Sequence, residues 1–210
     1  MKLYSLDASP FASRVRIQVY AKDIALEILP PPGGLGSDEF RALTPLGKIP
    51  ALALSDTVIV ESAVIREYLE EKFPQPSLLG TTPEQTAAIR TLCLLTDLHL
   101  VPRLLRLRAH IKGEVDGSDS LSDSVAALKA SLTDFDHNMG EGSLAVGDSL
   151  TLADCALAPV YFYINFFASA LKVDIELERL PSISAWSQNV EKETAVERVF
   201  GEMRNALPSR

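Results

Sequence analysis

The spacing of apolar residues changes once along the chain, close to residue 80, and this change restricts the folds that the chain can adopt. Before it, strand-like runs alternate with segments of helical spacing; the runs lie at 3–5, 25–29, 49–54 and 57–60. This pattern predicts an α/β domain with the order β-α-β-α-β-β-α. Beyond residue 80 the strongly periodic segments all have helical spacing, which predicts an all-α domain. Helices are expected at about 84–111, 120–138, 151–168, 181–192 and 194–205.

A segment rich in proline, glycine and small polar residues, at 74–85, separates the two parts. Such a composition is typical of a domain boundary. We therefore predict one domain at 1–78, a linker at 79–84 and a second domain at 85–210.

Charge and hydropathy exclude several classes of function. The 210-residue chain has 28 acidic and 20 basic side chains, which gives a formal net charge of −8. An acidic surface repels phosphate groups, so we expect no nucleic-acid partner. We find no run of the roughly 18 apolar residues that a membrane span requires, and no signal peptide at the first residues. We expect a cytoplasmic protein that does not bind a membrane.

The cysteines and histidines form no pattern typical of a metal site. Cys93 and Cys155 are far apart in sequence and lie in apolar surroundings, as small buried residues do. His99 and His110 would share a helical face but lie about 16 Å apart along its axis, too far to bind one ion. We therefore expect no metal.

Three short motifs in the α/β part have spacings that fit a binding site. The first, Ser9–Arg14, falls where a strand gives way to a helix, and an anion is stabilised at a helix N-terminus. The hydroxyl of Ser9 could donate a hydrogen bond to such an anion. It could equally do no more than cap the helix, with Pro10 at the first helical position.

The second and third motifs fit the recognition of a peptide. Pro50 begins a strand in Gly47–Ala51, and a cis Ile49–Pro50 bond would turn the Ile49 backbone outward to pair with an extended ligand. An ordinary trans bond is the alternative. Glu61 and Ser62 open a helix, where a carboxylate and a helix N-terminus could hold the ammonium and carboxylate of an amino acid.

These motifs together resemble the cytosolic glutathione transferase family, serine-type, similar to its zeta, omega and theta-like bacterial members. The likeness extends to Gly147–Asp154, which resembles the family's signature in the second domain, with Thr151 and Asp154 capping a helix reciprocally. The resemblance implies a thioredoxin-like α/β N-terminal domain followed by an all-α C-terminal domain. It also implies that glutathione is the co-substrate.

The resemblance assigns roles to individual residues. Ser9 matches the residue that hydrogen-bonds the glutathione sulfur, with Ser13 as the competing hydroxyl. Omega-like members have a cysteine at the position of Ser9, so a serine implies thiolate stabilisation and not disulfide exchange. The residues matched to glutathione binding are Lys48, Ile49, Pro50, Glu61 and Ser62.

The activity implied is attack of the glutathione thiolate on a hydrophobic electrophile, transferring an alkyl or aryl group to glutathione, as in detoxification. The residues expected near the electrophile are Phe11, Leu100, Arg103, Leu104 and Leu107. The family also implies a homodimer, in which Asp97 either reaches the partner subunit's glutathione or is a plain surface residue.

Three alternatives stay open. The cations between Arg103 and Lys112 would suit a maleyl-type diacid, and hence a glutathione-dependent isomerase. They would equally be stabilised at the end of a helix with no ligand. Dehalogenation or ether cleavage would use the same thiolate, and a non-catalytic binding or regulatory protein could have the same fold.

Overall fold

The computed structural model describes residues 1–116 and 120–207, and it divides into two compact units. Unit 1 consists of Met1–Leu78 together with the chain from Thr194 onward, and unit 2 is Leu79–Glu193. The predicted second domain, 85–210, includes residues 117–119 and 208–210, which lie outside the described residues.

Unit 1 has the predicted order of strands and helices. Its elements from the first part of the chain are β1 (Lys2–Tyr4), α1 (Pro10–Ala21), β2 (Glu27–Leu29), α2 (Asp38–Leu43), β3 (Ala51–Ala53), β4 (Val58–Val60) and α3 (Ser62–Lys72). The strand order is β2-β1-β3-β4, with β1 parallel to β2 and β3 antiparallel to both of its neighbours. The predicted α/β domain is therefore confirmed, including the hairpin of β3 and β4.

The core of unit 1 follows from the alternation of side chains along the strands. Leu3 on β1 pairs with Leu52 on β3, and both are fully buried. They pack with Val15 of α1 and with Ile65 and Leu69 of α3 in one apolar cluster. This core fixes the ends of β1, β3 and β4, and the loops that follow them.

Unit 2 is all helical, as predicted. Its elements are α4 (Pro83–Leu95), a π-helical turn (Thr96–Leu100), α5 (Val101–Lys112), α6 (Leu121–Asn138), α7 (Leu152–Leu171), a 3-10 turn (Leu177–Arg179) and α8 (Pro181–Val190). The single helix expected at 84–111 is interrupted by the π-helical turn. Pro102, just after that turn, has no N–H to donate and its ring crowds the carbonyl four residues earlier, so the backbone widens there.

Helix α7 is the central helix of unit 2. Thr151 and Asp154 cap it reciprocally, as predicted: the Thr151 side chain accepts the Asp154 N–H, and Asp154 Oδ2 accepts the Thr151 N–H at 2.8 Å. The Thr151 hydroxyl also donates to Asp154 Oδ2, at 2.7 Å. The helix is long and apolar enough to span a membrane by length and composition alone, although Asp154 and Asn165 interrupt its apolar run. Of its most apolar 18-residue stretch, 67% is buried inside the protein, which is typical of a core helix.

The last described helix, α9 (Thr194–Ala206), differs from the prediction in its place. The sequence analysis put it in the helical domain, whereas it packs against α1 in unit 1. Glu202 of α9 lies 3.0 Å from Nε of the buried Arg16, and it accepts a hydrogen bond from Tyr20 at 2.8 Å. A buried guanidinium requires an acidic partner, and α9 provides it.

Candidate functional site

A cavity of about 180 Å³ lies in unit 1 where the loops before β3 and after β4 meet the start of α1. The residues that line it are Phe11, Leu46, Lys48, Ile49, Pro50, Val60, Glu61 and Ser62. The structure thus brings together the five residues matched to glutathione binding, which are separated by up to 14 positions in sequence. The sequence analysis missed Leu46 and Val60, although each lies within two residues of a motif residue.

One wall of the cavity is the segment that leads into β3. The Ile49–Pro50 peptide bond is cis, Pro50 is buried and Lys48 is exposed. Gly47 has a φ of +58°, and a Cβ on it would lie 3.1 Å from Gly36 Cα. Any other residue here would be strained and would crowd Gly36, so glycine favours this close approach, in which the Gly36 N–H donates to the Gly47 carbonyl at 3.1 Å.

The opposite wall is the start of α3. Glu61 precedes the helix with a φ of +67°, a conformation that costs a non-glycine residue about 1–3 kcal/mol and is often found at binding sites. Ser62 is the first helical residue and is buried, and the side chain of Glu61 at the N-cap makes no capping hydrogen bond. The first N–H groups of the helix can therefore bind a carboxylate, while the exposed carboxylate of Glu61 can bind an ammonium.

Ser9 is the N-cap of α1, two residues before Phe11. Its Oγ accepts the Ala12 N–H at 3.2 Å, and its own N–H donates to the Leu6 carbonyl at 3.0 Å. Because a hydroxyl both accepts and donates, this capping bond leaves the hydroxyl proton of the half-buried Ser9 to donate elsewhere. Capping and ligand binding are therefore compatible.

Ser13 has different surroundings, although it lies only one helical turn further on. Its side chain is fully buried, and its Oγ accepts a hydrogen bond from Arg16 Nη2 at 2.9 Å. Its hydroxyl thus belongs to the interior of unit 1.

The guanidinium of Arg16 is fully buried beneath the loop that carries Ser9. Besides Ser13, it donates to Ser5 Oγ at 2.7 Å, to the Leu6 carbonyl at 2.9 Å and to the Asp7 carbonyl at 3.0 Å. The sequence analysis did not identify Arg16. The available signal was a second arginine between two apolar residues, Val15 and Ile17, of the helix.

Glu202 is the acid that faces this guanidinium from α9. Its carboxylate also accepts from the Tyr20 hydroxyl and, at 3.3 Å, from Arg198 Nε, and the Arg198 guanidinium stacks on the Tyr20 ring at 3.7 Å. Burial, together with the hydrogen bond to Glu202, raises the pKa of Tyr20 to about 12. Tyr20 is therefore a neutral hydrogen-bond donor at physiological pH.

Of the residues expected near the electrophile, Phe11 lines the cavity in unit 1 and the other four belong to unit 2. Leu100, Leu104 and Leu107 are buried, as core residues of the helical unit are. Arg103 is exposed and lies 3.5 Å from Ser131 Oγ. Their contact with an electrophile stays a prediction.

Two other cations of the cluster near the end of α5 have polar partners within unit 2. His110 Nε2 lies 2.9 Å from Ser124 Oγ, and Lys112 lies 3.4 Å from Glu114. Within residues 1–116 and 120–207, no three histidine, cysteine or acidic side chains are grouped so that they could hold a metal ion.

Comparison with known proteins gives matches along most of the chain. Residues 3–77 match the model of the glutathione S-transferase N-terminal domain, and residues 118–189 match that of the C-terminal domain. Maleylacetoacetate isomerase of Rattus norvegicus is 31% identical over 189 residues, covering 87% of this chain and 83% of the relative.

Two solved structures give the same picture at the level of the fold. The holo structure of a maleyl pyruvate isomerase, described as a bacterial zeta-class glutathione S-transferase, is 26% identical, with a TM-score of 0.78, and the match covers 99% of this chain and all of that one. A glutathione S-transferase of Methylobacterium radiotolerans in complex with glutathione sulfonate is 25% identical, with a TM-score of 0.76 and coverage of 95% and 93%.

Proposed function

Because the chain belongs to the glutathione S-transferase family, we propose that it binds glutathione in the cavity of unit 1 and catalyses attack of the glutathione thiolate on a hydrophobic electrophile. The observation that carries this proposal is the convergence of Lys48, Ile49, Pro50, Glu61 and Ser62 on one cavity. A glutathione analogue is bound in one of the related structures, which supports the same ligand here.

The charges around the cavity complement those of the tripeptide. Glu61 would bind the ammonium of the γ-glutamyl end, and Ser62 with the first N–H groups of α3 would bind its carboxylate. The Ile49 backbone would pair with the cysteinyl residue, and Lys48 would reach the glycyl carboxylate. Such an arrangement holds both ends of the ligand and leaves its thiol to be oriented by Ser9.

Ser9 would lower the pKa of the bound thiol. A free thiol has a pKa near 8.5, so about a few per cent is ionised at neutral pH. One hydrogen bond from Ser9 and the N-terminus of α1 could together supply the roughly 2.7 kcal/mol that lowers the pKa by two units. The thiolate would then form a C–S bond with the electrophile, whose leaving group departs with the bonding electron pair.

Glutathione-dependent isomerisation of a maleyl-type diacid is the second candidate. Two of the proteins reported above are named as isomerases of maleyl compounds, and the cations near the end of α5 would suit a substrate with carboxylates. The thiolate would add to the carbon–carbon double bond, and its expulsion after rotation would restore both the double bond and the thiolate.

The remaining parts of the proposal concern the oligomeric state, location and physiological role of the protein, the contacts of the electrophile and the domain boundary. We propose a homodimer located in the cytoplasm, with detoxification as its role if the transferase reaction is the physiological one. The electrophile would contact Phe11, which lines the cavity of unit 1. A domain division at 78, followed by a linker at 79–84, also remains part of the proposal.

Calorimetric titration with glutathione tests the binding site. We expect Glu61→Ala to weaken binding by about 2 kcal/mol or more, because it removes the partner of a partly desolvated ammonium. Glu71→Ala, which removes an exposed acid near the other end of α3, is the matched control and should bind as the unaltered protein does. Equal affinity of both variants would remove Glu61 from the site.

Turnover assays separate the candidate reactions. A chloronitroaromatic electrophile with glutathione reports the transferase reaction, and a maleyl diacid with glutathione reports the isomerase. Activity on the first alone supports the transferase and activity on the second alone supports the isomerase. Tight glutathione binding with neither activity would instead favour a binding or regulatory protein.

A further inference from the structure

A single buried side chain links α9 to the loop that carries Ser9. We propose that Glu202 on α9 is a positioning residue for Ser9 and acts through Arg16. This inference rests on the proposed role of Ser9 in stabilising the glutathione thiolate, and all the residues concerned belong to unit 1.

On the loop side, Arg16 fixes the backbone immediately before Ser9. The Leu6 carbonyl accepts the Ser9 N–H at 3.0 Å and Arg16 Nη1 at 2.9 Å, so one oxygen holds both groups. Arg16 Nη2 holds the next carbonyl, that of Asp7, at 3.0 Å. Displacement of the guanidinium would therefore displace the turn from which the Ser9 hydroxyl projects.

On the helix side, Glu202 fixes the orientation of the guanidinium. Its Oε2 lies 3.0 Å from Arg16 Nε, the guanidinium nitrogen that does not bind the loop, and the contact is an ion pair without the alignment of a hydrogen bond. A guanidinium is planar and rigid, so an ion pair that restrains Nε also restrains the positions of Nη1 and Nη2. Asp7 lies 3.5 Å from Arg16 Nη1, but its side chain is 57% exposed, whereas that of Glu202 is only 23% exposed. Glu202 is thus the less screened counter-ion of a fully buried charge.

Simple electrostatics and positioning predict opposite results when Glu202 is removed. Loss of a negative charge near a thiolate favours the thiolate, so electrostatics alone would lower the pKa of the bound thiol. Loss of the alignment of Ser9 would weaken its hydrogen bond to the sulfur and raise that pKa. The sign of the change therefore distinguishes the two effects.

The test measures the ultraviolet absorbance of bound glutathione thiolate against pH. We expect Glu202→Ala to raise the thiol pKa by about one unit, and hence to lower kcat/KM at neutral pH by about tenfold, while KM for glutathione stays within about twofold. Glu202→Gln keeps the size of the side chain and an oxygen for the Tyr20 hydroxyl but loses the ion pair with Arg16. It should therefore give a rise in the same direction, and it keeps the test possible if Glu202→Ala does not fold.

Two variants of α9 serve as controls. Glu197→Ala removes an exposed acid from the same helix, and Val196→Ala weakens the packing of the helix by truncating a buried side chain. Both should leave the thiol pKa unchanged. A fall in the pKa in the Glu202 variants, or an equal rise in Val196→Ala, would overturn the proposal.

A second readout does not depend on glutathione. The Ser9 amide is hydrogen-bonded to the carbonyl that Arg16 holds, so in Glu202→Gln it should exchange its hydrogen at least about tenfold faster, while amides of β3 stay as protected as before. Unchanged exchange at Ser9 would contradict the positioning role. If the unaltered protein does not lower the thiol pKa at all, the proposed function fails, and the exchange measurement still decides whether Glu202 positions the loop.

Discussion

At the scale of single residues, the hydroxyls of Ser9 and Ser13 show how one helical turn separates two chemical roles. Ser9 is half-buried at the cap of α1, where its oxygen accepts one N–H and its proton can still be donated. Ser13 is fully buried and accepts a hydrogen bond from Arg16. The sequence alone left the two as competitors, and their surroundings favour Ser9.

Replacement of Ser9 by alanine should leave glutathione affinity nearly unchanged, because the tripeptide would be held by its backbone and its two ends. A hydrogen bond to a charged acceptor contributes about 1.5–3 kcal/mol, so the bound thiol pKa should rise by roughly one to two units. Turnover at neutral pH should fall about tenfold or more and recover as the pH is raised.

Ser13→Ala is the matched variant for this prediction. Thiolate absorbance against pH should show the upward shift in Ser9→Ala and not in Ser13→Ala. The reverse pattern would assign activation to Ser13, even though the family assignment would stand.

Residues around the cavity could be predicted from the sequence when they stand in a short motif, and could not when their role depends on a contact with a distant part of the chain. Pro50 and Glu61 stand in short motifs whose neighbours identify them, and their role as ligand contacts stays a prediction. Arg16 and Glu202 could not be paired in this way, because their contact joins distant parts of the chain. No local pattern distinguishes Glu202 from Glu197, the other acid of α9.

At the scale of elements, the interruption between α4 and α5 shows what periodicity can and cannot predict. The apolar spacing correctly predicted helix over most of 84–111, but a π-helical turn fills Thr96–Leu100. Apolar spacing is almost the same in the two helix types, so the pattern does not reveal the change. Pro102 was the available signal.

The turn before α7 depends on a glycine that no other residue can replace. Gly142 has a φ of +124°, and a Cβ there would lie 2.3 Å from the Gly147 carbonyl oxygen. Since backbone must move to relieve this overlap, Gly142→Ala should lower the free energy of unfolding by about 2–4 kcal/mol.

Substitution of Gly201 by alanine is the control, because it is expected to raise the free energy of unfolding and not to lower it. It lies within α9, and a Cβ there would have no neighbour within 4 Å. Gly201→Ala should therefore stabilise the protein by about 0.5–1 kcal/mol, because alanine loses less backbone entropy in a helix. Urea unfolding curves measure both changes, and a Gly142→Ala midpoint equal to that of the unaltered protein would contradict the close approach.

At the scale of the whole molecule, exposed leucines support the proposed homodimer. Leu94, Leu98 and Leu105 lie on α4, the π-helical turn and α5, with exposures of 59%, 65% and 45%. Large exposed apolar side chains grouped along one stretch are typical of an interaction surface. A second copy of the chain is the partner that the family membership favours, and two-fold dimers are the commonest oligomers.

Sedimentation at micromolar concentration should therefore give about twice the 22.8 kDa mass of one chain. Leu98→Glu should shift the mass toward the monomer, because it would place a charge in an apolar interface. Leu35→Glu, at a comparably exposed leucine of unit 1, should leave the mass unchanged. A monomer mass for the unaltered protein would reject the dimer.

The return of α9 to unit 1 has a consequence for biosynthesis. Tyr20 and Glu202 are hydrogen-bonded across 182 residues of chain. Ribosomes add about 5–20 residues per second, so roughly ten to forty seconds pass between the emergence of α1 and that of its acidic partner. During that interval the nascent N-terminal segment has the Arg16 guanidinium without its principal counter-ion. With the positioning role proposed for Glu202, the loop that carries Ser9 would reach its final arrangement only after the intervening helices are translated.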